Sequence, residues 1–327
     1  MNTGKNRPAF TLVELMIVIV IISILAGLTT IGTRIAIHNS KDATVSLTLE
    51  QLAMAIEKYK NDIGEYPPDF TDQDAVVRHV RKRWPRCNYA DTFFQTAENK
   101  LGWTFGPASA LVFWLGGLPD NTGKPGGFFL SPTDPLRTNP ETSPQREEPR
   151  YNFPDGTIFE KEYITNRSPE EWVTGPVFQP GKDDSKPVVY FCASAPSAEN
   201  DLNALPEDVL TDSFEIENAA YQTILNSEEK FTFFKGLGFA TPYARDVKSV
   251  GDLDCWTWYE SDRFQLVHPG YDGLFSDFPD SDFEGPIYPY PYINEKKAEL
   301  TPADYDNIVN FAEGGTLESL YPKLPRP

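Results

Sequence analysis

An uncharged apolar run near the start of the chain limits what this sequence can fold into. Nineteen consecutive residues, 15–33, carry no charged side chain. As an α-helix with a rise of ~1.5 Å per residue, the run would extend for about 28 Å, close to the ~30 Å thickness of a bilayer's hydrocarbon core. The run therefore predicts a helix that spans a membrane or lies buried among similar helices.

The residues that flank this run weigh against two simpler interpretations. A secretory signal peptide has an apolar region of ~7–15 residues and a small-x-small cleavage site, whereas this run is longer and Ile24-Leu25-Ala26 has a large residue where a small one is needed. A plain membrane anchor would leave Glu14 at the edge of the apolar run, where a carboxylate without a partner is costly. From these residues alone, both interpretations remain open.

The sequence around Glu14 resembles a known signal. Residues 9–19 read AFTLVELMIVI, which closely resembles the prepilin signature of type IV pilins and type II secretion pseudopilins. The resemblance implies that residues 1–9 are a leader peptide, that prepilin peptidase cleaves between Ala9 and Phe10, and that the new amino group of Phe10 is methylated. Ala9 stands where the family usually has glycine. The resemblance also implies that the apolar helix remains on the mature subunit and packs into a filament.

The position of Glu14 suggests how such subunits would be aligned. Cleavage would place a cationic amine on Phe10, one helical turn from Glu14. In a bundle of these helices, Glu14 would pair with the amine of a neighbouring subunit. A buried ion pair adds little net stability, but leaving either charge alone costs several kcal/mol. We therefore predict that Glu14 sets the register between subunits.

A second pattern extends the predicted helix beyond the uncharged run. Apolar residues recur with spacings of 4, 3, 4, 3 and 4, as expected for one buried helix face: Val45, Leu49, Leu52, Ile56, Tyr59 and Ile63. Gly64 followed by Pro67-Pro68 predicts the end of the helix. We therefore predict an N-terminal transmembrane and stem helix within residues 10–66, with an anchor followed by an unrelated helix as the alternative.

Part of this stem supports the secretion branch of the family. Residues 49–59 followed by 64–67 are similar to the stem-to-loop passage of the major pseudopilins, and this similarity favours a secretion pseudopilin over a true pilin. The chain would then resemble a major pseudopilin of the G type with an enlarged head.

The remaining residues predict an acidic head of the α+β class. The chain has 48 Asp+Glu against 29 Lys+Arg, a formal charge of −19, which argues against a nucleic-acid-binding surface because Lys and Arg supply most affinity for phosphates. Of the 29 prolines, only Pro8 precedes Pro67. We predict a loop-rich insertion with short helices at residues 67–186, including helix candidates at 76–83 and 106–117. Residues 187–327 would form a β-rich, pseudopilin-like head.

The C-terminal region carries a second resemblance. Residues 186–191, 264–273 and 306–311 are similar to enlarged pseudopilin-like proteins of planctomycete type. That similarity implies a small antiparallel sheet packed on the stem helix.

An acidic cluster late in the chain is a candidate calcium site. Close carboxylates repel one another unless a hard cation lies between them, and Ca²⁺ prefers oxygen ligands. Asp280-x-Asp282-x-Glu284-Gly285 mimics the first half of an EF-hand loop, but Pro291 stands where the bidentate Glu belongs. Major pseudopilins hold Ca²⁺ in a comparable loop. The candidate ligands are therefore Asp272, Asp277, Asp280 and Asp282, with a solvated acidic loop as the alternative.

Motifs for other chemistry are absent from the sequence. Cys87, Cys192 and Cys255 share no C-x-x-C spacing and so do not indicate zinc, and one disulfide or three reduced thiols both remain open. The sequence contains neither G-x-S-x-G nor H-E-x-x-H. We therefore expect that the protein is not an enzyme.

The resemblance implies a structural subunit of a type II secretion pseudopilus or a type IV pilus-like filament. Its expected partners are copies of itself, other pseudopilins, prepilin peptidase, an inner-membrane assembly platform and the membrane, with no nucleic acid. It would cross the inner (cytoplasmic) membrane once, with the C-terminal head periplasmic or extracellular. The alternatives are an adhesive or ligand-binding minor pilin and a pilin-anchored hydrolase, which would need two facing carboxylates in a cleft.

Overall fold

The described part of the chain contains most of the first 193 residues and shorter segments after them. The structure, a computed structural model, describes residues 12–120, 122–137, 145–165, 168–181, 186–193, 232–234, 237–250, 253–260, 262–275, 293–294, 297–298, 304–312 and 315–320. The boundary between two compact units falls between Thr44 and Val45. The packing and side-chain contacts described in this subsection lie within the second unit.

The predicted N-terminal helix is present as α1, Leu12–Ile63, which runs for 52 residues. It ends where Gly64 adopts a φ of +91° and donates its N–H to the carbonyl of Lys60. A residue without Cβ adopts this left-handed conformation readily, so Gly64 ends the helix as the sequence predicts. Among the described residues, no helix combines the length and the hydropathy needed to cross a membrane.

The second half of α1 buries the predicted apolar stripe. Leu49, Leu52, Ile56 and Tyr59 are almost completely buried, and Val45 and Ile63 pack against the same core as partly buried residues. The core that covers them also contains side chains from distant parts of the chain: Phe70, Phe94, Trp114, Tyr190, Phe264, Leu266 and Ile308. The stem therefore contributes one wall of the main hydrophobic core.

Short helices follow the stem, as the sequence predicts. Helix α2 (Gln73–Arg83) is capped by Asp72, whose carboxylate accepts the backbone N–H groups of Asp74 and Ala75 at 2.8 and 3.1 Å. Such a cap satisfies N–H groups that have no partner inside the helix. Helix α3 (Phe93–Leu101) follows. The apolar segment 106–117 is buried as predicted, but its helix is a single π-helical turn, Val112–Gly116.

Eleven strands are described, and they form four antiparallel sheets. Their bounds are β1 Ile158–Thr165, β2 Ser168–Phe178, β3 Val189–Cys192, β4 Thr232–Phe234, β5 Gly238–Ala240, β6 Ala244–Val250, β7 Leu253–Trp258, β8 Phe264–His268, β9 Ile293–Asn294, β10 Lys297–Ala298 and β11 Ile308–Val309. The orders are β2-β1-β4-β5, β11-β8-β3, β6-β7 and β10-β9. Together with α1, these sheets confirm the α+β class.

The sheet β11-β8-β3 unites the three C-terminal segments that the sequence singles out. Tyr190 of β3 pairs with Leu266 of β8, and Val309 of β11 pairs with Val267 of β8. Tyr190 and Leu266 belong to the core that contains the stem, whereas Val267 and Val309 belong to a second core on the opposite face. The predicted packing of a small antiparallel sheet on the stem is therefore observed.

One hairpin differs from the sequence-based description of residues 67–186 as loops and short helices. Strands β1 and β2 lie in this segment, and β1 also pairs with β4, as in the register Tyr163↔Phe234. The segment thus supplies two strands of a sheet that includes residues from the C-terminal region. Adjacent charges at residues 160–162 and a proline at 176 hide the apolar alternation by which strands are usually recognised.

A buried series of hydrogen-bonded side chains joins the end of the stem to α2. Arg83 donates to the hydroxyl of Tyr59 at 2.8 Å, and that hydroxyl lies 2.6 Å from Nε2 of His79. Nδ1 of His79 lies 2.7 Å from a carboxylate oxygen of Glu65. This order of donors places the proton of a neutral imidazole on Nδ1. Burial lowers the pKa of His79 below its usual value, although Glu65 acts in the opposite direction.

We expect the free energy of unfolding to decrease as the pH falls below about 6.5, the ordinary pKa of histidine. His268 is fully buried, and burial followed by the charge of Lys186 lowers its pKa to about 3. Between about pH 6.5 and pH 3 the unfolded chain binds more protons than the folded chain. The contribution of neutral His268 to the stability is therefore complete above about pH 6.5 and is lost as the pH falls toward about 3. At about pH 4.5, His268 alone would lower the free energy of unfolding by about 3 kcal/mol relative to its value at neutral pH.

Urea unfolding followed by near-ultraviolet circular dichroism at several pH values measures this dependence. The variant His268→Gln cannot take up the proton, so its stability should fall less steeply than that of the wild type. Parallel curves for the two proteins would contradict the assignment to His268.

Candidate functional site

The first turns of α1 expose apolar side chains around the whole helix. Twelve large apolar residues between positions 12 and 25 are each 41–74% exposed: Leu12, Val13, Leu15, Met16, Ile17, Val18, Ile19, Val20, Ile21, Ile22, Ile24 and Leu25. We refer to these twelve residues as the N-terminal apolar surface. A helix that is apolar on all sides is not stable with water as its permanent surroundings. Lipid or other protein chains must therefore cover it.

Polar groups on this helix segment are few, and their positions are informative. Glu14 is the one charged residue among residues 12–27, and it lies in the first turn of α1. The unsatisfied N–H groups and the positive end of the helix dipole stabilise an anion at that position. The hydroxyl of Ser23 donates to the carbonyl of Ile19 at 2.7 Å, so it needs no partner outside the helix. The free energy of the charged Glu14 side chain therefore depends on which apolar environment surrounds this helix segment.

The structure describes only some of the predicted site residues. Glu14 is described, whereas Ala9 and Phe10 lie outside the described residues. Of the candidate calcium ligands, Asp272 is described, while Asp277, Asp280 and Asp282 lie outside. Within the described part of the chain, no group of three or more His, Cys, Asp or Glu side chains could hold a metal ion. The calcium site stays a prediction.

The turn that contains Asp272 is held by residues that the sequence-based reasoning missed. Asp306 accepts the N–H groups of Tyr271 and Asp272 at 2.6 and 2.9 Å. The ammonium group of Lys186 donates to the carbonyls of Gly270 and Tyr271 at 2.8 and 2.6 Å. Lys186 and Asp306 are far from this turn in sequence, so no local spacing reveals them; the one local signal is the pair of glycines at 270 and 273, both with positive φ.

Replacing Lys186 by methionine should lower the free energy of unfolding by about 2 kcal/mol, because two charge-assisted hydrogen bonds are lost. Methionine retains the unbranched apolar part of the lysine side chain, so the packing against Gly273 is preserved. This packing is close, because a Cβ added to Gly273 would lie 2.8 Å from Cε of Lys186. Urea unfolding measures the effect. Lys58→Met, on the exposed side of the stem, removes the same charge and should change the stability by less than about 0.5 kcal/mol. Equal effects of the two substitutions would contradict this role.

The structure bears on whether the cysteines form a disulfide, which the sequence leaves open. Cys87 is a free, partly buried thiol. Cys192 is buried; its backbone N–H donates to Asp69 at 2.9 Å, and its thiol donates to the carbonyl of Ala193 at 3.4 Å. These two described cysteines are not joined to each other. The side chain of Cys255 lies outside the described residues.

Comparison with known proteins identifies the N-terminal signal. Residues 4–30 match the prokaryotic N-terminal methylation motif, a type IV pilin-like signal. The matched range includes Ala9, Phe10, Glu14 and all twelve residues of the N-terminal apolar surface, so the predicted signal is confirmed. No curated protein and no solved structure matches the chain.

Proposed function

We propose that this protein is a structural subunit of a type II secretion pseudopilus, cleaved between Ala9 and Phe10 by prepilin peptidase, methylated on Phe10 and assembled through α1. One observation carries the proposal. The methylation motif at residues 4–30 coincides with a helix segment whose twelve large apolar side chains are exposed. Such a segment needs a cover, and a filament of like helices provides one.

The energetics explain why a single carboxylate would control assembly. Burying a large apolar side chain from water contributes about 1.5–3 kcal/mol, so twelve of them hold the helix firmly in any apolar environment. Lipid tails are as apolar as leucine, however, so this term hardly distinguishes a helix in the membrane from one in a filament. The charges do distinguish the two states. Burying the charges of Glu14 and of the Phe10 amine in lipid is costly, whereas in the filament each charge also gains an opposite charge from a neighbouring subunit.

Leader removal would prepare the chain for this exchange. The leader, residues 1–9, contains Lys5 and Arg7 and no acidic residue, so cleavage raises the net negative charge from −19 to −21 (−19 − 2). It also creates the Phe10 amine one turn from Glu14. The uncleaved chain would stay in the cytoplasmic membrane with its head outside, and an assembly platform in that membrane would insert the mature subunit into the filament.

The secretion branch of the family is the finer part of the proposal. Its support is the similarity of residues 49–59 and 64–67 to the stem-to-loop passage of major pseudopilins. A pseudopilus is short, whereas a type IV pilus forms long surface fibres. Electron microscopy of cells that produce the protein separates the two, and long fibres would exclude the secretion assignment while leaving the pilin-like subunit intact.

N-terminal mass spectrometry of the mature protein tests the whole proposal. We expect a chain that begins at Phe10 with a methylated amino group. Ala9→Gly introduces the residue usual in the family and should give the same product, whereas Ala9→Leu places a large side chain at the cleavage site and should leave the leader attached. A chain that begins at Met1 in cells with an active prepilin peptidase would contradict the proposal.

A further inference from the structure

A small cleft lies on the head beside the hairpin β1-β2. It has a volume of about 120 Å³, and its lining includes Trp103, Pro119, Pro125, Phe159, Glu160 and Pro176. Small-molecule sites in proteins usually measure ~300–1,000 Å³. The cleft is therefore too small for a nucleotide or a drug-sized ligand, and its size suits one side chain of a protein partner.

The lining selects the kind of side chain. The lining contains the aromatic residue Trp103, and Glu160 is its acidic residue. An aromatic ring and a carboxylate together recognise a cationic side chain with an apolar hydrocarbon portion. The ring face attracts positive charge, and the carboxylate accepts hydrogen bonds from the cationic group. Two cations near the cleft already have partners: Lys124 is held by Asp155 at 2.7 Å, and Arg146 donates to the carbonyls of Leu118 and Pro119, each at 3.1 Å. Arginine or lysine is the side chain that these features fit.

The same chemistry continues along the exposed face of the hairpin. Glu160 pairs with Pro176, and Glu162 pairs with Thr174 two register positions further along the hairpin. Glu160, Glu162, Trp172 and Thr174 are all exposed, while Val173 between the last two is buried, so the alternation of a strand places the exposed four on one face. Trp172 is 44% exposed, an unusual state for so large an aromatic residue.

The spacing of this face matches an extended peptide. Two residues along a strand cover about 7 Å, which separates Glu160 from Glu162 and equally separates alternate side chains of an extended ligand. A basic residue in the cleft beside Glu160 would therefore bring the next alternate residue to Glu162 and Trp172. We propose that this face, defined by Glu160, Glu162, Trp172 and the cleft, binds an extended segment of a partner protein that has Arg or Lys at alternate positions. The chain's net charge of −19 favours approach of such a segment.

The test uses the full chain in detergent micelles and a fluorescein-labelled peptide of alternating threonine and arginine. Fluorescence anisotropy should detect binding that weakens as salt is raised. A peptide with glutamate in place of arginine should not bind. The double variant Glu160→Gln/Glu162→Gln should bind about tenfold more weakly, and Trp172→Leu about threefold more weakly. Near-ultraviolet circular dichroism establishes that each variant is folded.

A matched control separates this face from the general charge of the protein. Glu50→Gln/Asp262→Asn removes two exposed acidic residues elsewhere and should leave the affinity unchanged. Equal losses in the two double variants, equal binding of both peptides, or no binding at millimolar peptide would overturn the proposal. So would self-association of the wild type that Glu160→Gln/Glu162→Gln abolishes, in the absence of peptide binding, because the face would then belong to a second copy. Cleavage and methylation at Phe10 do not enter this measurement, so its outcome is independent of the proposed filament.

Discussion

Filaments should be absent when Glu14 is replaced by valine, while the protein still enters the membrane. Valine completes an apolar surface that already contains twelve large side chains, so the helix becomes more soluble in lipid. The loss concerns the neighbouring subunit, because the amine of its Phe10 would enter the filament core without an opposite charge. An uncompensated buried charge costs about 3–5 kcal/mol, which lowers the equilibrium constant for adding each subunit by two orders of magnitude or more.

Two measurements on the same cells separate assembly from insertion. Membrane fractionation reports whether the variant is inserted, and shearing followed by immunodetection reports whether filaments form. Ser23→Ala is the matched control, because it changes a polar residue in the same helix whose hydroxyl is bonded to the carbonyl of Ile19; its filaments should be normal. Normal filaments from the valine variant would exclude a pairing role for Glu14.

The stem could be predicted from the sequence because its structure depends on local patterns. The 4-3 spacing of Leu49, Leu52, Ile56 and Tyr59 requires a helix with one buried face, and Gly64 supplies the left-handed residue that ends it. The sheet β11-β8-β3 could also be predicted from the sequence, but for a different reason. Its strands bury side chains on both faces, so β3 appears in the sequence as a short continuous apolar run and β8 as an apolar run that only Gln265 interrupts before His268.

The parts of the head that sequence reasoning missed depend on distant partners. Strand β1 contains adjacent charges, and it becomes a strand because it pairs with β2 on one side and with β4, some seventy residues later, on the other. Lys186 reaches the carbonyls of Gly270 and Tyr271 in the same way. Tertiary pairing overrides local preference at such positions, so a single sequence does not reveal them.

The junction between the stem and the head centres on Trp114. The indole N–H donates to the carbonyl of Pro68 at 2.8 Å, just after the end of α1, and the ring is 1% exposed. It stacks on Phe70 with ring centres 5.3 Å apart and meets the edges of His79 and Phe113, each at 4.9 Å. Trp114→Ala would leave a large cavity and remove the hydrogen bond to Pro68. We expect the free energy of unfolding to fall by about 5 kcal/mol, a large share of the ~5–15 kcal/mol typical of a domain.

Urea unfolding of the full chain in micelles, followed by near-ultraviolet circular dichroism, measures this loss. Trp172→Ala is the matched control, since the same side chain is removed from a position that is 44% exposed; its midpoint should change little. Trp114→Phe keeps an aromatic ring in the core and gives up the N–H, so its loss should be intermediate, about 1–3 kcal/mol. Similar midpoints for the two alanine variants would mean that the core around Trp114 does not hold the head on its stem.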